Sequence, residues 1–336
     1  MPARQFVTLG MFIIDQFSFQ DDNGSPTGQS LAPQIGGGGT YASIGARIWL
    51  PAHELGMIVD QGHDFPEDIE TTLRSYGDEM WWFRRQPGLE TTRALNFYRG
   101  DHRGFQYLTP RVRITPRDLT DTPLAFPATL HFICSPSRAA VIASEIKEIS
   151  SWAPITIYEP IPDRCVPEEL PALVDVLPSI NILSPNAEEA LSLLSIPLPP
   201  TKNTIEEACA KFLELGVGPE GNGWVIIRSG SMGAYAASKH RVGGWVDAFW
   251  NDAAQVVDVT GAGNAFLGGL AAGFVLTKGD VFKALFYASV SASYTIQQQG
   301  LPTCSRSEAG EWNGDSPWAR LRELEERHAK RSTKDD

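Results

Sequence analysis

Val257-Asp258-Val259-Thr260-Gly261-Ala262-Gly263-Asn264-Ala265-Phe266-Leu267-Gly268-Gly269 reads as the end of a strand, a glycine turn and the first turn of an apolar helix. Such a turn leaves backbone N–H groups without partners and points them outward, where the helix dipole also favours negative charge. Glycine and alanine are needed there because an anion must come close to the backbone. The stretch therefore predicts a phosphate-sized anion site at a strand-to-helix junction.

Working outward, short apolar runs alternate with helical patterns. Phe6–Ile14, Gly56–Asp60, Leu130–Cys134, Ile155–Tyr158, Ile180–Leu183 and Val225–Ile227 read as buried strands. Thr40–Leu50, Arg138–Ile149, Ala187–Leu194, Thr204–Leu215 and Val281–Gln297 read as helices. This alternation predicts an α/β fold, a doubly wound, mostly parallel sheet with helices on both faces. Asp21–Gln34 is a polar loop, and Thr91-Arg93-Leu95-Phe97 alternates like a hairpin strand. Extra strands within 16–35 and 91–108 are expected to form a small β lid on a domain spanning residues 1–304. Residues 305–336 are expected to be a polar, partly helical extension, with Leu321 and Leu324 as its apolar anchors.

The chain has 336 residues, 42% of them hydrophobic, enough for a sizeable core. Its 28 basic and 40 acidic residues leave a net charge of −12, which argues against nucleic-acid or anionic-membrane partners. Cys134, Cys165, Cys209 and Cys304 are widely spaced, without a Cys-x-x-Cys pair, so neither a disulfide framework nor a zinc site is expected. Met1–Gly10 lacks the apolar core of a signal peptide, and no run of about 18 apolar residues offers a membrane span. A soluble cytoplasmic protein is the expectation. A P-loop is missing, and the glycine runs at 36–39 and 261–263 break the dinucleotide pattern at Tyr41 and Phe266.

Several segments together resemble the PfkB (ribokinase-like) carbohydrate kinases, and the fungal killer-maintenance-type branch in particular. The stretch at 258–264 is similar to the family's second signature, Asp-Thr-x-Gly-Ala-Gly-Asp. Gly36-Gly37-Gly38-Gly39-Thr40-Tyr41 resembles its first, with Tyr41 in place of an Asn. Asn186-Ala187-Glu188-Glu189 matches its Asn-x-x-Glu motif, two side chains on one helix face. Arg228-Ser229-Gly230-Ser231-Met232-Gly233 falls at its nucleotide-side turn, with Arg where Thr is commoner. The resemblance implies a kinase using ATP and Mg²⁺, with a K⁺-like cation beside Asp258 and Thr260. It implies that Gly261, Ala262 and Gly263 form an anion hole. Asp15, Gly37, Gly38, Tyr41 and Arg93 would hold a small hydroxylated substrate. Asn186, Glu189, Arg228, Gly230, Gly233 and Ser289 would serve the nucleotide, Glu189 reaching Mg²⁺ through water. Lid strands of this kind also allow a homodimer, since a free edge invites a partner strand.

Asn264 stands where the family carries its catalytic Asp. An amide cannot take a proton from an attacking hydroxyl, although it can orient one. A base contributes about 10²- to 10⁴-fold, yet phosphoryl transfer is loose and its nucleophile loses its proton late. Two readings stay open at this point: a slow kinase, with Asp252 or Asp258 near enough in sequence to substitute, and a silent protein that binds nucleotide or sugar for regulation. On the kinase reading, Asn264→Asp is expected to raise ATP turnover on a suitable polyol by about tenfold or more, measured as ADP release across a panel of sugars and nucleosides.

Overall fold

The structure is a computed structural model that describes residues 4–99, 102–250, 252–305 and 310–335. Gly100 and Asp101 of the expected lid, and residues 306–309 of the expected tail, lie outside the described residues. The strands are β1 (Phe6–Thr8), β2 (Ile13–Gln20), β3 (Gln34–Gly36), β4 (Leu55–Gly62), β5 (Trp81–Gln86), β6 (Arg93–Arg99), β7 (His102–Tyr107), β8 (Thr129–Cys134), β9 (Ile155–Pro160), β10 (Ile182–Leu183), β11 (Trp224–Arg228), β12 (Ala234–Ser238) and β13 (Arg241–Val246). The helices are α1 (Gly38–Arg47), α2 (Glu67–Ser75), α3 (Pro136–Glu148), α4 (Leu170–Val176), α5 (Ala187–Leu193), α6 (Lys202–Glu214), α7 (Ala262–Leu276), α8 (Val281–Thr295) and α9 (Pro317–Asp335).

Nine strands form the main sheet in the order β13-β12-β11-β10-β9-β8-β1-β4-β5. From β11 to β5 every pairing is parallel, and β12 and β13 turn back antiparallel. Side-chain alternation along the strands divides the core in two. Ile226 enters a cluster with residues of α1, α7 and α8, while Val225 and Ile227 enter another with residues of α3 to α6. Burial on both faces is why these strands read as unbroken apolar runs rather than alternating ones. Leu321 and Leu324 of α9 join the first cluster, and Trp318 meets Trp49 edge to face at 5.3 Å. No helix among the described residues is long and apolar enough to cross a membrane.

Phe6–Ile14 is not one strand, contrary to expectation. It breaks after Thr8, and β2 leaves the main sheet for a second one, of order β3-β2-β6-β7. The break is imposed by a tertiary contact: a Cβ on Gly10 would lie 2.6 Å from Cα of Gly39, so the chain bends where it crosses the start of α1. The second sheet is the expected lid. It is mixed: β2 runs parallel to β6 and antiparallel to β3, while β6 and β7 form a hairpin. Asp15 therefore sits on a lid strand.

Helices α1 and α7 touch backbone to backbone. A Cβ on Gly268 would collide with the carbonyl oxygen of Ala42, and one on Gly45 with that of Ala265. This contact joins the two glycine turns seen in the sequence, because a Cβ on Gly38 would fall 3.1 Å from Nδ2 of Asn264. Gly268→Val should therefore force the helices apart and cost more than about 2 kcal/mol. Gly88→Ala, where a Cβ meets nothing within 4 Å, should stay within about 0.5 kcal/mol of wild type. Urea unfolding of the two variants compares them directly.

Candidate active site

The carboxylate of Asp15 lies against Gly36, where no side chain larger than hydrogen fits beside it. Gly37 has φ 91°, and a Cβ there would strike the carbonyl of Met11. Tyr41, in the first turn of α1, is buried with its ring on the face of Gly261. Gly261 caps α7 in the left-handed conformation, φ 77°, which only glycine adopts at little cost. The N–H groups of Gly261 and Gly263 have no acceptor among the described residues, whereas the N–H of Ala262 donates to Val259 at 3.1 Å. Two of the three amides expected in the anion hole are thus available, and the third is spent on its own turn.

Asn264 does not stand alone. Its Nδ2 donates to Oε2 of Glu159 at 2.7 Å. Glu159 is near the carboxyl end of β9, and its Oε1 pairs with Nη2 of Arg228, the last residue of β11, at 2.7 Å. The same Nη2 donates to the carbonyl of Ser184 at 3.0 Å and lies 3.6 Å from Oε2 of Glu189. On the other side, Nε2 of His131 of β8 is 3.8 Å from Glu159, and its Nδ1 meets Thr8 Oγ1 at 2.9 Å. A Cβ on Gly263 would collide with Nη1 of Arg228, so the guanidinium abuts the glycine turn of α7. One buried cation thus serves two buried carboxylates. Desolvation would raise Glu159, but Arg228 and His131 outweigh it and hold the group below its ordinary range. Glu189 is pushed up to about 7, by burial first and by the charge of Glu159 as well, with Arg228 opposing. The nearer acid keeps its charge and the farther one keeps a proton.

A cavity of about 760 Å³ opens onto this cluster. Asp15, Gly37, Gly38, Tyr41, Gly261 and Asn264 line it, together with Thr260 and Glu159. Arg93 does not line it. Its guanidinium is bound to Asp64 at 2.6 Å, tying β6 to the loop after β4, so the expectation that it faces substrate is not met. Asp258 accepts the N–H of Thr260, and Asp252 that of Ala254. Neither acid reaches the cavity lining. The nucleotide-side residues lie outside it too. Gly230 and Gly233 hold a turn at φ 54° and 91°. Ser289 donates to the carbonyl of Asp247. Asn186 and Glu189 cap α5 reciprocally, at 2.7 and 2.8 Å.

Sequence reading missed Glu159 and His131. Glu159 stands near the carboxyl end of a central parallel strand, where such sheets place their ligands, and an acid closing the apolar run Ile155–Tyr158 was the available signal; His131, midway along β8, had none. The donors do not fit a magnesium cage built from protein alone. Among the described residues no three acidic, His or Cys groups gather, and Oε2 of Glu189 is already taken by the Asn186 N–H and by Arg228.

A model described as pfkB family carbohydrate kinase matches residues 4–308. An uncharacterised protein of Schizosaccharomyces pombe is 34% identical over 343 aligned positions, covering 96% of this chain and 93% of that protein. Protein MAK32 of Saccharomyces cerevisiae is 33% identical over 335, covering 92% and 88%. Among solved structures, Arabidopsis thaliana ribokinase complexed with ribose and ATP superposes with a TM-score of 0.64 at 20% identity, over 89% of this chain and 94% of that one.

Glu189 generates a pH signature. A carboxyl raised from 4.5 to about 7 contributes stability fully below pH 4.5 and loses it as pH rises towards 7. Glu159, held low, acts in the opposite sense and only at acid pH. Metal-free wild type should lose on the order of 2 kcal/mol between pH 5 and 8 relative to Glu189→Gln. The variant keeps an oxygen for the Asn186 N–H. Parallel pH slopes in urea titrations of the two proteins would remove the proton from Glu189.

Proposed function

Because the chain belongs to the pfkB family of carbohydrate kinases, with relatives in its fungal killer-maintenance-type branch, we propose that it transfers the γ-phosphoryl group of ATP to a hydroxyl of a small sugar-like or nucleoside substrate, slowly, with Glu159 as the base. One observation carries this reading: the amide of Asn264 is hydrogen-bonded to a buried, ionised carboxylate that lines the same cavity. The base has moved from position 264 to its neighbour in space.

The acceptor hydroxyl lies between Asn264 and Glu159 and is oriented at its far end by Asp15 and Tyr41. Its oxygen bonds to the γ-phosphorus while the bridging bond to ADP breaks, and its proton passes to Glu159. Charge growing on the transferred group meets the Gly261 and Gly263 N–H groups and the guanidinium of Arg228. Magnesium bound to the nucleotide supplies further neutralisation of phosphate charge. We assign the Gly230–Gly233 turn and the Ser289 region to the nucleotide, and Asp258 with Thr260 to a monovalent cation such as K⁺. A base held below the ordinary carboxylate range is weak, which is consistent with slow turnover.

A second reading has its own support. Asn264, Glu159, Arg228 and Glu189 already contact one another without any ligand, as a silent regulatory pocket would. Glu159→Gln separates the two. On the kinase reading, ADP release falls about 100-fold, while Mg-ADP affinity by calorimetry stays within about twofold and shows the pocket intact. Wild type that binds Mg-ATP but transfers nothing supports the silent pocket, and no nucleotide binding at all removes both. With Glu159 in place, the gain expected of Asn264→Asp from sequence alone should be held back near neutrality, where the two adjacent acids share a proton, and should emerge only as pH rises.

A further inference from the structure

The cavity lined by Asn264 is also lined by three arginines that the catalytic reading leaves unused. Arg111 and Arg113 lie on the segment after β7, and Arg138 is in the first turn of α3. None of the three has a carboxylate within 4 Å among the described residues. Arg84, Arg93, Arg228 and Arg320 are paired with acids, whereas Arg47 and Arg327 donate to backbone carbonyls; Arg111, Arg113 and Arg138 instead line a cavity. In a protein of net charge −12, three such cations facing one cavity mark a place where negative charge is supplied from outside.

Arg111 and Arg113 are exposed at the cavity mouth, and two of the three arginines have an anchoring contact. Arg138 donates from Nη2 to the carbonyl of Ile114 at 3.2 Å, which fixes its fork and leaves its other donors free. Arg111 lies 4.5 Å above the ring of Tyr107 on the lid. Arg138 sits at the positive end of a 13-residue helix that has no acid in its first turn. That arrangement is unfavourable unless an anion neutralises both. Three acids line the cavity as well: Glu159 is committed to Arg228, and Asp15 and Asp163 make no ion pair with the three arginines among the described residues.

We propose that the acceptor is an anionic polyol, a phosphate ester or a carboxylate of a sugar-like molecule. Its charged end rests on Arg111, Arg113 and Arg138, and its free hydroxyl lies beside Asn264 and Glu159. A cavity of about 760 Å³ has room for a hydroxylated ring with a charged substituent. The arginine forks suit either anion, since each presents oxygens to planar donors. The proposal rests on the reading of this cavity as the acceptor site.

Calorimetry on the full chain without nucleotide tests it. The panel is fructose 6-phosphate and ribose 5-phosphate, gluconate, the neutral sugars fructose and ribose, and inorganic phosphate. At least one anionic polyol should bind tenfold or more tighter than its neutral counterpart, and whether it is an ester or the acid identifies the source of the charge. Arg138→Gln and the double variant Arg111→Gln/Arg113→Gln should each weaken that ligand at least tenfold, with neutral-sugar affinity and melting temperature unchanged. Equal binding of charged and neutral polyols, indifference to the substitutions, or binding of inorganic phosphate alone overturns the proposal. Turnover is not the readout. Arginine-dependent binding without any Mg-ATP binding would uphold the anionic site and count against phosphotransfer, and the converse result would do the reverse.

Discussion

The contact between α1 and α7 is the constraint on which the site depends. Two helices reach backbone contact only where the facing residues have no side chain to separate them, here Gly45 and Gly268. The contact brings the glycine turn before α1 against the first turn of α7, so that Gly38 faces Asn264 and Tyr41 covers Gly261. Neither turn makes a site alone. The first supplies a wall close to Asp15 and the second supplies free N–H groups. Packing energy spent between the helices thus becomes positional accuracy of a fraction of an ångström at the cavity.

On that frame the electrostatics have one centre, the guanidinium of Arg228. It is buried with Glu159 and Glu189, and removal of such a cation would leave the charge of Glu159 uncompensated in a poorly solvated place. The protein meets the shortfall of positive charge by keeping Glu189 protonated near neutrality. It also brings the guanidinium against Gly263. There it reinforces the positive end of α7 instead of leaving that end to backbone dipoles alone. A chain that carries its own cation at the anion turn depends less on metal ligands of its own, in keeping with the sparse oxygen donors nearby.

Much of the architecture was legible because it follows local rules. Apolar runs of strand length alternating with helical periods implied the doubly wound sheet, and the Asn186/Glu189 spacing marked a helix start that the structure shows as a reciprocal cap. The glycine turns were visible because only glycine fits their geometry. What stayed hidden depends on residues far apart in sequence. The break after Thr8 comes from Gly10 meeting Gly39. Arg93 is claimed by Asp64 across 29 residues. Glu159 gains its importance from Asn264 of α7 and Arg228 of β11 meeting it, and Arg111, Arg113 and Arg138 share a cavity only once the segment after β7 and the start of α3 come together. Spacing within a segment carries no trace of such meetings.

The amide at position 264 is best understood through charge. An acid there would sit within hydrogen-bond distance of Glu159, making three carboxylates around one guanidinium. Two of them would then have to hold protons near neutrality, and a protonated acid is no base. Asn264 avoids this, because its Nδ2 gives Glu159 a donor at 2.7 Å without adding charge. The exchange of acid for amide and the presence of Glu159 are therefore two halves of one arrangement. The site keeps a carboxylate, Glu159, beside position 264 and places it one side chain away from where the sequence motif alone would put it.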